Sequence, residues 1–139
     1  MQINTRFLGH IEIEEKNIIS FEHGMPGFHE LHKFVLLGMA ENPSLYYLQS
    51  LDEEEICFIV INPFLILEDY EADISEETVK QLEIKKAEEV SLYCILTIPE
   101  GAKNITVNLI APIVINNENN KAVQEVLNND KYNIKHKLF

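Results

Sequence analysis

Leu45-Tyr-Tyr-Leu-Gln-Ser-Leu-Asp-Glu-Glu-Glu-Ile-Cys-Phe-Ile-Val-Ile-Asn-Pro63 is the stretch whose reading decides the fold class. Two runs, Leu45–Leu51 and Ile56–Ile61, are rich in aromatic and β-branched residues and strand-sized. Polar Asp52–Glu55 separates them, and Asn62-Pro63 ends the second. Working outward, further strands are read at Phe34–Leu37, Val90–Ile98 and Ile105–Ile115, with turns at Asn42-Pro43 and Pro99-Glu-Gly101. Phe7-Leu-Gly-His-Ile-Glu-Ile-Glu14 sets Ile11 and Ile13 on one face and Glu12 and Glu14 on the other. A turn at Asn17 then leads into Ile18–Phe21, a hairpin-like unit. The spacing predicts a mainly β single domain over residues 1–139, an antiparallel barrel or sandwich, not βαβ units.

One helix is expected over about Ser75 to Ile84, with Asp73 as N-cap and Glu76 and Glu77 near the positive end of its dipole. Val79 and Leu82 give it an apolar face, and Lys85 and Lys86 suit its other end. Ala122–Leu127 fits either a short second helix or a strand.

Composition narrows the function classes. The 139 residues are 46% hydrophobic and 24% charged, an ordinary globular balance for one domain. The longest apolar runs are strand-sized, which excludes a helical membrane span. The N-terminal Met-Gln-Ile-Asn-Thr-Arg lacks an apolar secretory core, so a cytoplasmic location is expected. Twenty-three acidic against 11 basic residues give −12, and Lys131, Lys135 and Lys137 fall in an acid-free tail. The remaining eight basic and 23 acidic residues leave −15 on residues 1–130. Such a body repels phosphate backbones and attracts basic proteins.

Chemistry-bearing motifs are few. Phe21-Glu-His-Gly-Met-Pro-Gly-Phe28 with His29 and His32 gathers three histidines: His23, His29 and His32. It lacks the pattern of a phosphate loop, and Pro26 removes an amide that such a loop would use. Without HExxH or CxxC spacing, a metal or small-ligand site on these histidines is the weaker alternative to a turn shaped by Gly24 and Gly27. Cys57 and Cys94 lie apart in apolar runs, as buried thiols do. No serine sits in a GxSxG elbow, so nothing makes a positive case for an enzyme, and no cofactor is expected. Glu68-Asp-Tyr-Glu-Ala-Asp-Ile-Ser-Glu-Glu77 holds six acids and no base. Its Asp69, Glu71 and Asp73 echo an EF-hand, but Ile74 stands where glycine is required and Lys80 where a bidentate Glu belongs. A solvated charged face is the plain reading of this run, and a docking face for a basic partner, with Tyr70 as aromatic anchor, is the sharper alternative.

Phe21–Phe28 followed by Phe34, Leu48-Gln-Ser-Leu-Asp52 leading into Phe58-Ile-Val-Ile-Asn-Pro63, and Asn108-Leu-Ile-Ala-Pro-Ile-Val-Ile-Asn116 together make a pattern that resembles the bacterial flagellar assembly factor FliW family. Gln124 and Tyr132-Asn-Ile-Lys-His-Lys-Leu138 complete it; Lys121-Ala122 stands where that pattern favours glycine. What the resemblance implies is a non-enzymatic, β-barrel-like regulator that binds flagellin in the cytoplasm. Once flagellin is depleted, it binds CsrA, a small basic RNA-binding repressor of flagellin translation, and relieves repression allosterically. Glu68, Asp69, Tyr70, Glu71 and Asp73 are the expected contributors to the CsrA-facing surface. No direct nucleic-acid or membrane partner is expected, and nothing demands more than a monomer.

Overall fold

The computed structural model describes residues 1–138. Seven strands close a barrel: β3 (Ile19–Phe21), β4 (Lys33–Gly38), β5 (Leu45–Ser50), β6 (Cys57–Ile61), β7 (Val90–Thr97), β9 (Ile113–Asn116) and β10 (Lys121–Gln124). The order around the ring is β3-β4-β5-β6-β7-β9-β10 and back to β3. The hairpin of β5 and β6 is in the register of Leu45 with Ile61 and Gln49 with Cys57. Six of the seven pairings are antiparallel. The seventh, which closes the ring, is parallel, with Lys121 opposite Ser20 and Ala122 opposite Phe21. Ala122 is buried at that seam. Residues 121–124 are thus strand, not helix, because their groups complete the ladder between β9 and β3.

Because side chains alternate along a strand, the wall carries apolar residues on both faces. Phe34 and Leu36, Val60, Tyr93 and Ile95 join Phe21, Leu48 and Ile113 in one cluster, the barrel interior. Phe21 and Phe34 meet there edge to face at 5.3 Å. Each such side chain fully buried contributes about 1.5–3 kcal/mol. The alternate residues Ile59, Ile61, Leu92, Cys94 and Leu96 form a second core with Tyr70, Leu109, Leu127 and Tyr132. Val35 and Leu37 form a third with Ile3, Ile11 and Ile13. The barrel therefore has apolar outer walls, which the chain covers with excursions.

The third core corrects the hairpin read at the N-terminus. Only His10–Glu12 of residues 7–14 is strand (β2), and its partner is β1 (Gln2–Asn4), not Ile18–Phe21. A 3₁₀ turn at Glu15–Asn17 redirects the chain, so β3 pairs with β4 and β10 instead. The cause is burial: Ile11 and Ile13 pack on Val35 of the barrel wall.

The strand read over Ile105–Ile115 is two strands on the same side of β7, β8 (Thr106–Val107) and β9. Pro112 cannot donate to a ladder, and Asn108 turns its side chain to accept from the Ala111 N–H at 3.1 Å. A final strand, β11 (His136–Lys137), pairs with β8. Helix α1 spans Glu76–Gln81, shorter than Ser75 to Ile84. Its N-cap is Ser75, not Asp73: Ser75 Oγ accepts the Thr78 N–H at 3.2 Å. Glu83 adopts φ 57°, and the Ile84 N–H reaches back to the Val79 carbonyl, which stops the helix. Leu82 is buried beneath it, with Thr78 alongside.

Phe21–Phe28 is a turn. Gly24 and Gly27 take φ 73° and 85°, and Met25, buried to 1% exposure, bridges Phe28. Phe28 in turn leans edge to face on Phe58 at 5.8 Å.

Candidate partner-binding site

Where β6 ends, Asn62 Oδ1 accepts the Phe64 N–H at 2.9 Å and starts a 3₁₀ turn at Pro63–Leu65. The chain leaves the barrel wall here and runs back across the second core to α1. Side chains pin this excursion. Tyr70 Oη donates to the Leu109 carbonyl at 2.6 Å, and its ring lies 4.7 Å from that of Tyr132. Tyr132 Oη accepts the Glu71 N–H at 2.7 Å. Ser75 donates from both N–H and Oγ to the Glu125 carboxylate, at 2.9 and 3.0 Å.

Pinned in this way, the segment presents its acids to solvent. Glu68, Asp69, Glu71, Asp73, Glu76 and Glu77 are all exposed, and Glu125 adds a carboxylate beside Ser75. Among the described residues, none of the acids of residues 68–77 forms an ion pair with a base. Tyr70 departs from the expectation. It is 4% exposed, and burial, with Cys94 and Tyr132 nearby, pushes its phenol far above the ordinary range. It faces the core because its ring fills the space between Phe64 and Tyr132 and its hydroxyl has a carbonyl partner. It holds the acidic segment up and cannot itself be a surface anchor.

The exposed aromatic of this region is Phe64, 44% exposed, beside Leu65 at 62%. The pointer to it in the sequence is an apolar run, Phe64–Leu67, directly after a strand-ending Asn-Pro. Next to it lies a groove of about 600 Å³ between the excursion, α1 and the outer side of β7. Its lining includes Phe64, Ile74, Val79, Ile84 and Leu92, with Asp73, Lys85 and Lys86 also facing it.

The histidines do not assemble. His32 Nδ1 lies 2.9 Å from the Phe21 carbonyl, while exposed His23 has the Glu22 carboxylate as its neighbour. Among the described residues, no three of His, Cys, Asp and Glu stand where they could hold a metal ion. Cys57 and Cys94 are free thiols; burial pushes Cys57 up to about 11 and Cys94 up to about 12. Both are held as neutral, unreactive thiols near neutral pH. No helix of the described residues is long and apolar enough to cross a membrane.

Comparison with known proteins places this geometry. The sequence model of the FliW protein family matches residues 2–138. The flagellar assembly factor FliW of Thermosipho africanus is 47% identical over 139 residues, covering 99% of this chain and 95% of that protein. The FliW of Caldicellulosiruptor bescii is 43% identical over 137 residues, covering 99% and 90%. A crystal structure of the flagellar assembly factor FliW superposes with a TM-score of 0.92 at 42% identity, covering 100% of this chain and 97% of that one. Full-length matches in sequence and fold lead to one conclusion: the chain belongs to the FliW family of flagellar assembly factors.

Proposed function

We propose that this chain is a cytoplasmic, non-enzymatic regulator of flagellar assembly that works as a monomer through two protein partners. It holds flagellin before export. When flagellin is depleted, it binds the basic repressor CsrA away from the RNA-binding surface and so relieves repression of flagellin translation. Family membership supports the flagellar role, and the observation that carries the CsrA reading is the row of exposed carboxylates at Glu68, Asp69, Glu71 and Asp73, which form no ion pair among the described residues.

A carboxylate already bonded to a lysine of its own chain would have to lose that partner to gain another. These four do not. Exposed ion pairs contribute about 0–1 kcal/mol each, so charge acts chiefly on the association rate and apolar contact supplies the anchor. With Tyr70 in the core, Phe64 and Leu65 are the apolar groups beside these acids. A body that repels phosphate also suits a protein that acts on a repressor without competing for its message.

Replacing Glu71 and Asp73 by Lys and titrating CsrA by calorimetry at low and high salt tests the assignment. The expected result is weaker binding at low salt and a flatter salt dependence than in the parent. Unchanged affinity and unchanged salt slope would remove these residues from the interface. A pull-down with this chain as bait, probed for flagellin and CsrA displacing one another, tests the two-partner cycle.

A further inference from the structure

The groove beside the acidic segment lies over an open sheet edge. Toward β9, β7 is paired along Val90–Tyr93, but toward β6 its pairing stops at Cys94 opposite Ile61. Asn62 and Pro63 turn away at that point, and Pro63 has no N–H with which to continue the ladder. The direction of the free groups follows from alternation. The Glu89 carbonyl accepts from Asn117 and the Ile95 carbonyl from Asn108, both on the β9 and β8 side. Backbone groups of the even-numbered residues between them therefore face the other way, toward the groove. The Val90 N–H is taken by the Ala87 carbonyl. No loop hydrogen bond among the described residues reaches Leu92.

We propose that this groove receives an extended peptide segment of a partner protein as an added strand on β7, through the Leu92 N–H and C=O and the Val90 C=O. Exposed strand edges accept segments in this way; backbone bonds supply affinity and side pockets supply selectivity. The pockets here are apolar, between Phe64, Ile74, Val79 and Ile84. Charge selects the occupant further. Lys85 and Lys86 line the groove with Asp73, just before the turn that leads into Val90; the Glu89 carboxylate accepts both lysines' backbone N–H groups, at 2.9 and 3.2 Å, and neither ammonium is ion-paired among the described residues. In a chain of net charge −12, two unpaired lysines beside an open edge favour a segment with apolar inward side chains and flanking acidic ones. This partner chemistry is opposite in sign to that of the neighbouring row Glu68, Asp69 and Glu71, with which the groove shares Asp73 and Phe64.

The probe is a blocked peptide, acetyl-Glu-Glu-Val-Thr-Val-Thr-Val-amide, titrated into the isotopically labelled full chain and followed by amide NMR and hydrogen exchange. Binding is expected to shift and protect the Leu92 amide, with neighbouring shifts confined to β7, α1 and Phe64. Replacing Lys85 and Lys86 by Glu should weaken binding by about tenfold, the scale of two exposed charge pairs reversed. A peptide N-methylated at alternate residues should lose binding, and one with Lys in place of the two Glu should bind more weakly. Any one of three results overturns the proposal: no protection of Leu92, equal binding of the N-methylated peptide, or equal binding of the Lys peptide. The assay contains neither CsrA nor flagellin, so its outcome is independent of the reading of the acidic face.

Discussion

Gly24 and Gly27 share a turn and a left-handed backbone, yet they do different work. A Cβ built on Gly24 would lie 2.4 Å from the His29 carbonyl oxygen, whereas one on Gly27 meets nothing within 4 Å. Gly27→Ala should therefore cost only the conformational penalty, about 1–2 kcal/mol. Gly24→Ala should cost clearly more, because backbone atoms cannot step aside as a side chain can. The midpoint of urea unfolding for the two variants against the parent checks the ordering; equal losses would contradict it. The glycines mark a turn in the sequence, but the close approach of residue 29 that separates them is a tertiary fact. Tyr70 carries a related lesson. An aromatic ring among six acids reads as exposed, because local polarity is all that a sequence window contains. Its burial depends on Leu109 and Tyr132, far along the chain, which supply a carbonyl and a ring.

At the scale of elements, local chemistry sets the ends and distant surfaces set the pairing. Helix α1 is capped by Ser75, whose Oγ accepts the Thr78 N–H while its own donors reach Glu125. Ser75→Ala should cost about 1 kcal/mol through the lost cap, plus the contact with Glu125. Thermal unfolding of Ser75→Ala beside Glu125→Ala separates the two contributions, and an unchanged midpoint for Ser75→Ala would show that the cap contributes nothing. The hairpin of β5 and β6 was legible because both strands and their turn lie within one stretch of sequence. The pairing of β1 with β2 was not, since three residues at a terminus carry little periodicity. Nor was the break between β8 and β9, although Pro112 advertises it to anyone counting donors. Residues 121–124 were ambiguous on their own; the open seam between β9 and β3 makes them a strand.

On the scale of the whole molecule, a barrel with apolar residues on both faces of its wall must be dressed on the outside. The segment from Asn62 to α1 and the tail beyond Leu127 cover the second core together, and they meet where Tyr132 accepts from Glu71. Removing residues 131–139 should uncover Leu109 and Tyr70 while leaving the interior around Phe21 and Phe34 intact. The truncated chain is expected to bind a hydrophobic dye, to melt at a lower temperature and to keep its β signal in circular dichroism. Retention of the parent melting temperature would show that the tail is not part of the second core's cover. The acidic surface depends on the same arrangement, because its backbone is held by these two tyrosines. By itself the sequence determined the β class, the turns, the charge and the family, since these follow from local pattern, from composition and from motifs that survive in linear order. Only the tertiary structure decided which strand closes the ring, that Tyr70 lies inside and Phe64 outside, and that β7 keeps an open edge. Each of those depends on whether a group far away in the chain arrives to pair with it, and pairing between distant groups leaves no local mark.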